Sequence, residues 1–328
     1  MPLSSLQFRY FLLVLIAMAL SSLAFNTGAQ GWPDKPVRII VAFPPGGGTD
    51  FFARPLAVEL SKTLGQQVFV DNRVGAGGTI GAAAAAKAPP DGYTIFAGAV
   101  HHTVADSVYK NLSYKLSQDF IPVRGIAFVP DVLIINSKLP ITSVKELVDY
   151  AKRNPGKVNF GSSGNGTSRH IAGEVFNKLA GTSITHIPYK GAGPAMMALL
   201  GGEVDLIFND LASVSSQINS GAVRALAVSA PKRSPAFPNI PTMAEAGIPG
   251  FESISWYGLW VPKGTPQIIQ DRIFVDTTNA LNTPGLKTIW RNSAADTGPD
   301  TQKEFSKYVE DETDKWKKLV DSYKITAE

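Results

Sequence analysis

The sequence predicts an α/β architecture of two similar domains that flank a ligand cleft, and three observations predict it. Short apolar runs rich in β-branched residues alternate with amphipathic helical segments, and glycine-rich loops join strand to helix. The whole pattern then occurs a second time within 328 residues. With 44% hydrophobic and 18% charged residues, a chain of this length can bury two apolar cores.

The first series begins with VRIIVAF at 37–43, a continuous apolar run suited to a strand covered on both faces of a parallel sheet. PPGGGTD follows at 44–50, and then Phe52, Leu56, Leu60 and Leu64 recur every four residues along one helical face, with Gly65 as the stop. Pro55 lies inside this helix and is expected to delay its start or kink it, because proline removes a backbone donor and clashes one turn back. A second strand VFVDN at 68–72, a loop VGAGGT, an alanine-rich helix at 80–88, the turn PPDG and a strand YTIFAG at 93–98 complete the series.

The second series starts at PDVLIIN, 130–136. SVKELVDYAKRN sets Val144, Leu147, Val148 and Ala151 on one helical face. VNFGSSGNGTS at 158–168 repeats strand and glycine loop before the helix HIAGEVFNKLAG. DLIFND at 205–210 and VRALAVSA at 223–230 read as further strands, and PAFPNIPTMAEAGIPG at 235–250 as an ordered loop containing a short helix. WYGLWV at 256–261 is again a strand, and two amphipathic helices, 267–281 and 301–323, end the chain. Crossings near 126–136 and 252–261 divide the chain into a discontinuous first domain, 31–129 plus 256–328, and a second domain, 130–255, able to close like a hinge.

Residues 1–30 are expected to be a cleaved signal peptide. Arg9 is followed by an apolar stretch, and small residues precede Gln30, with cleavage between Ala29 and Gln30 or just after. A membrane anchor is the competing reading, but Ser21, Ser22, Asn26 and Thr27 make the far end polar and no basic cluster follows. There is no cysteine, hence no disulfide, no thiol nucleophile and no lipid attachment site, which points to a periplasmic protein. The net charge of +4 becomes 4 − 1 = +3 without Arg9, and the basic residues form no run, so nucleic acid is not an expected partner.

The loop PPGGGTD between a buried strand and a helix is an anion cradle: glycines admit close backbone approach, and the amides of the first helical turn point outward. GSSGNGTSRH at 161–170 offers a second cradle with hydroxyls from Ser162, Ser163, Thr167 and Ser168. Plain tight turns with Thr49, Asp50, Thr167 or Ser168 as helix caps are the alternative for either loop alone. A pair at matching positions favours binding of a carboxylate-bearing ligand. The expected ligand set is Phe43, Gly46, Gly47, Gly48, Thr49, Asp50, Ala99, His101, Ser162, Ser163, Thr167, Ser168, Asn209 and Asp210. Asp50 stands apart as a carboxylate beside an anion cradle, better suited to capping, and Asn209 and Asp210 share that ambiguity between turn and pocket.

Other chemistries lack their residues. A phosphate loop needs Lys followed by Ser or Thr where Thr49 and Asp50 stand. VGAGGTIG has the wrong spacing for a dinucleotide fingerprint, and no acidic residue follows at the required strand end. His101, His102, His170 and His186 show no metal-binding spacing, and no nucleophile elbow is present. No cofactor, no metal and no catalytic activity are therefore expected.

The motifs WPDKPVRIIVAFPPGGGTD, GQQVFVDNRVGAGG, PPDGYT, GSSGNGTSRHIAGE, PYKGAGPAMMALLGGEVDLIF and WYGLWVPKGTP, in this order, resemble the Bug family, the substrate-binding proteins of tripartite tricarboxylate transporters. The resemblance covers the chain from about Trp32 to the last helix. It implies a type II periplasmic binding protein-like fold, an organic acid held by the two loops partly through waters, and delivery to membrane transporter subunits; a monomer is expected. A receptor that reports to a sensor kinase, or a secreted α/β enzyme, are the alternatives. Three departures stand out: Phe51 and Phe52 beside the first loop, Pro55 in its helix, and RNSAADTGPD at 291–300 in place of a glycine-containing segment, the last expected to affect only the surface.

Overall fold

The computed structural model describes residues 31–109 and 111–323, so the expected signal peptide lies outside the described residues. Two sheets share one long strand. In the first, β1 (Val37–Val41) lies between β2 (Val68–Asn72) and β3 (Thr94–Ala99), all parallel, and β3 pairs antiparallel with β9 (Ile254–Pro262). β9 pairs with residues 120–130 of β4 (Phe120–Asn136). From Asp131 onward β4 changes sheets and pairs antiparallel with β7 (Leu206–Asp210) and β8 (Val223–Val228), while β5 (Asn159–Ser162) joins β7 and β6 (Thr185–Pro188) in parallel. The apolar run is longer than the predicted 130–136 because this strand serves both sheets.

The crossing is locked by polar side chains rather than by apolar packing. The Asp131 carboxylate, 1% exposed, accepts from the Ser253 hydroxyl at 2.5 Å and the Ser255 hydroxyl at 2.6 Å. Its carbonyl accepts from the amide and hydroxyl of Ser229, both at 2.8 Å. Burial raises the Asp131 pKa, since desolvation disfavours the carboxylate more than the nearby Arg169 and the two serines favour it.

Eleven helices cover the sheets among the described residues. α1 (Gly48–Leu64) runs uninterrupted through Pro55, contrary to the expected delay or kink. Its stripe of Phe52, Leu56, Leu60 and Leu64 is buried, so tertiary packing outweighs the lost backbone bond. A 3-10 turn, 76–78, precedes α2 (Thr79–Ala86), and α3 (Val100–Val108) follows β3 directly. α4 (Leu116–Asp119) and α5 (Val144–Arg153) lead to α6 (Ser168–Ala180), α7 (Ala192–Gly201) and α8 (Leu211–Asn219) in the second half.

α9 (Gln267–Leu281), α10 (Pro284–Asn292) and α11 (Gln302–Tyr323) return to the first sheet, so three helices rather than two end the chain. Thr283 caps α10 through the Leu286 amide and proline occupies its first turn, a start signal present in the sequence text. The indoles of Trp256 and Trp316 both donate to Glu312 at 3.0 Å, which fixes α11 against β9. Residues 235–250 contain turns and a bridge between Val228 and Thr242 but no helix, a further departure from expectation. Nor is the 291–300 segment mere surface: Asp296 pairs with Phe128 of β4, and Ala294 holds φ +53° in the left-handed region that favours glycine.

Candidate functional site

Both glycine loops touch the opposite half: the first lies against Ala192 and Asp210, the second against Gly77 and His101. α1 begins at Gly48 without any side-chain cap on Gly47, and the amides of Gly47, Gly48, Thr49 and Asp50 find no acceptor among the described residues. Gly46, at φ +85°, turns the chain into this start. The helix therefore offers a cluster of unanswered donors with the positive end of its dipole.

Asp50 does not oppose an anion there. Its carboxylate is bound by the Gly46 amide at 3.1 Å, Arg54 Nε at 2.8 Å and Asn72 Nδ2 at 2.9 Å, and Arg54 Nη2 stands 2.7 Å away. It braces the loop from behind, with its charge neutralised by Arg54. Ala99 plays a comparable backbone part, its amide donating to His102 Nδ1 at 3.0 Å at the start of α3. Phe43 is 6% exposed and lies edge-on to His101, with ring centres 5.0 Å apart.

Most hydroxyls of the second loop are already engaged. Ser162 donates to the Gly164 carbonyl at 3.1 Å and contacts His186 Nε2 at 2.6 Å. Thr167 caps α6 through the His170 amide and donates to Gly164 at 2.8 Å. Ser168 reaches across to the first half, its hydroxyl 2.7 Å and its amide 3.2 Å from His101 Nδ1. Burial first, then the Arg169 charge, push the His101 pKa well below its usual value, so the ring is neutral and accepts at one nitrogen only, from Ser168 at Nδ1 or from Arg169 at Nε2. Only the Ser163 hydroxyl, in a residue 3% exposed, is buried without a partner.

Beneath the loops lies a buried ion pair that the sequence reading did not assign. Arg169 Nη2 donates to Asp210 Oδ2 at 2.8 Å, with the side chains 5% and 0% exposed, and Arg169 Nη1 stands 3.2 Å from His101 Nε2. Asp210 also caps α8 through the Ser213 amide at 2.8 Å, and Asn209 Oδ1 accepts from the Asp210 amide at 3.0 Å. The Tyr257 hydroxyl is buried beside the Arg169 guanidinium, close enough to interact with it though without a well-formed hydrogen bond, and Arg169 Nε is buried as well. The text offered one signal for Arg169, its place two residues into a helix after a polar glycine loop; Tyr257 sat in an apolar strand and gave none.

Gly48 is the tightest position of the first loop. A Cβ there would stand 2.0 Å from the Tyr257 hydroxyl and 2.7 Å from Asp210 Oδ2. At Gly47 it would meet only Ala192 Cβ and the Pro44 carbonyl, both at 3.8 Å. A third glycine-led helix start, Gly191 before α7, touches the same place: a Cβ on Gly191 would stand 2.7 Å from Pro44 Cδ. The motif KGAGP carried this signal, and the sequence reading left it without a role.

Above these contacts a groove of about 520 Å³ opens between Phe43, Gly77 and Tyr109 on one side and Ser163, Tyr189 and Lys190 on the other. The Tyr109 hydroxyl donates to the Asn165 carbonyl at 2.7 Å, joining the halves at the groove's edge. Lys190 is exposed and forms no ion pair among the described residues. Among those residues there is also no group of three or more His, Cys, Asp or Glu side chains able to hold a metal.

The sequence profile described as "Tripartite tricarboxylate transporter family receptor" matches residues 52–325. BugT of Bordetella pertussis is 37% identical over 307 residues, covering 93% of this chain and 94% of that protein. An R. palustris structure with adipate is 35% identical with a TM-score of 0.87, covering 90% of this chain and 99% of that one. MatC from Rhodopseudomonas palustris with bound malate is 31% identical with a TM-score of 0.84, covering 88% and 100%. The periplasmic binding protein BugD has the same fold, at 36% identity and a TM-score of 0.86, covering 90% of this chain and 99% of that one. The chain belongs to the tripartite tricarboxylate transporter receptor family and is a periplasmic solute-binding protein of the TctC and Bug type.

Proposed function

We propose that this receptor captures a small dicarboxylate outside the cytoplasmic membrane, closes its two halves around one carboxylate, and presents the loaded form to tripartite tricarboxylate-type membrane subunits. The observation that carries the reading is the set of unanswered amides at the start of α1, facing a second half whose one orphan loop hydroxyl is Ser163. A carboxylate accepts several hydrogen bonds at once and satisfies both sides together, so closure and binding are linked. Adipate and malate in the two related structures support a dicarboxylate. The exposed Lys190 at the groove's edge supplies a cation for the second carboxylate.

The hinge lies at Asp131 with Ser253 and Ser255, between a first domain of 31–129 plus 256–328 and a second of 130–255. The expected ligand set divides accordingly into amide donors from Gly47, Gly48, Thr49 and Asp50 and a hydroxyl from Ser163, with Gly46 turning the chain and its own amide held by the Asp50 carboxylate. Phe43 walls the groove, while Asp50, Ala99, His101, Ser162, Thr167, Ser168, Asn209 and Asp210 hold those donors in place. The mature protein acts as a monomer without cofactor. Calorimetry with malate, succinate, adipate, citrate and aspartate, alongside mass spectrometry of any small molecule released on denaturation, tests the reading. One dicarboxylate binding at one per chain is expected. No heat from any of these acids and no released acid would overturn it.

A further inference from the structure

A second cavity of about 680 Å³ shares no lining residue with the groove, and most of its wall comes from Arg124 of β4, the end of α9, α10 and the segment after it. Arg124 of β4, only 3% exposed, lines it, with Nε and Nη1 buried and unpartnered. Its nearest carboxylate is Asp300, 3.9 Å from Nη2 on a side chain 93% exposed to water. An ion pair so long and so well solvated contributes little, whereas a buried guanidinium without matched acceptors is costly. The Phe274 ring, 5.6 Å away, adds only a weak cation–π contact. Burial lowers the Arg124 pKa in spite of Asp300 and Glu304.

The rest of the cavity suits an anion as well. Thr278 Oγ1 is buried without a partner in the same wall, and Lys287 and Arg291 of α10 stand exposed around it. Against these three cations the lining carries two acids, Asp296 and Asp300. Much of the wall is the 291–300 segment that departs from the glycine-containing version. Pro235 and Ala236, from the loop after β8, close the far side, so the cavity is built by both halves of the chain.

We propose that this cavity is a second anion site, independent of the groove, in which the Arg124 guanidinium and the Thr278 hydroxyl receive a small oxyanion of the phosphate or carboxylate class. Lys287 and Arg291 draw the anion in, and Asp300 is the competitor that it displaces. Because Pro235 and Ala236 come from the other half, occupancy is coupled to how the halves are set, and the coupling is reciprocal.

Calorimetry and thermal denaturation with inorganic phosphate and with citrate, at fixed ionic strength, test the site. One phosphate per chain is expected, with a rise in Tm, and binding should survive in folded Gly48→Val, which crowds the start of α1 against Tyr257 and Asp210. Arg124→Met should reduce phosphate affinity more than tenfold and abolish the Tm rise. If that variant fails to fold, Lys287→Ala with Arg291→Ala, both exposed, should still weaken phosphate several-fold. Asp300→Asn should strengthen it. Phosphate that is lost with Gly48→Val, unaffected by the cavity variants, or not bound at all would overturn the proposal. Citrate binding that follows the cavity variants assigns the site to carboxylates as well; citrate binding lost only with Gly48→Val belongs to the groove and contradicts that part.

Discussion

The two glycine loops occupy matching places in the two halves and solve different problems. The first exposes backbone: it has no side-chain cap, and its one acidic residue, Asp50, is turned away and neutralised by Arg54. The second hides side chains: Ser162, Thr167 and Ser168 are spent on the loop, on α6 and on His101, leaving Ser163. A loop rich in hydroxyls is thus not the better anion donor. What counts is which donors the local structure leaves unanswered, and glycine at an uncapped helix start leaves the most.

The largest test of this contrast strikes the ion pair under both loops. Arg169→Met leaves Asp210 buried without its partner, and removal of one partner from such a pair costs about 3–5 kcal/mol. Chemical denaturation should show that loss, with His101 and Ser168 no longer held in register. Stability within 1 kcal/mol of wild type, by the same scale, would mean that the pair is not structurally important.

At the first loop, Gly48→Val places carbon on the Tyr257 hydroxyl and Asp210, whereas Gly47→Ala meets ordinary contacts. Affinity for the carboxylate ligand should fall by about a hundredfold or more, roughly 2.7 kcal/mol, for the first and change little for the second. Equal effects would erase the distinction between the two positions.

Acid should disturb the second loop and spare the first. His170 accepts from the Gly166 amide, His186 contacts Ser162, and the rings stack 3.9 Å apart. Burial pushes His170 down to about 4, and burial followed by the neighbouring His170 pushes His186 down to about 3. Both values are lowered on folding, so their contribution is complete above the unfolded value near 6.5 and is lost as pH falls toward 4. Hydrogen exchange across 162–170 should accelerate over that window before exchange at 46–52 does. The reverse order would contradict the assignment.

The smallest effect belongs to Ser163→Ala, which removes the one unpartnered loop hydroxyl and should weaken binding by about 1 kcal/mol, near fivefold, with little change in Tm. Ser162→Ala should do the opposite, lowering Tm through its lost bonds to Gly164 and His186.

The text made both loops legible because glycine runs between an apolar strand and an amphipathic helix encode backbone geometry directly. It also gave nearly all strands of both sheets. It could not tell that β4 begins at Phe120, since one continuous apolar strand can feed one sheet or two, or that α10 follows α9, because Thr283 and Pro284 mark a start only once a helix is suspected. Tyr257 was invisible, and Arg169 nearly so, for another reason. Their importance comes from meeting Asp210 and Gly48 at sequence separations that no local pattern records.

The most direct measurement is a crystal structure of the protein with a bound dicarboxylate. One carboxylate should lie within about 3 Å of two or more amide nitrogens among Gly47, Gly48, Thr49 and Asp50, and within reach of the Ser163 hydroxyl directly or through one water. A carboxylate gripped by one half alone, or by Lys190 with those amides left bare, would contradict the account.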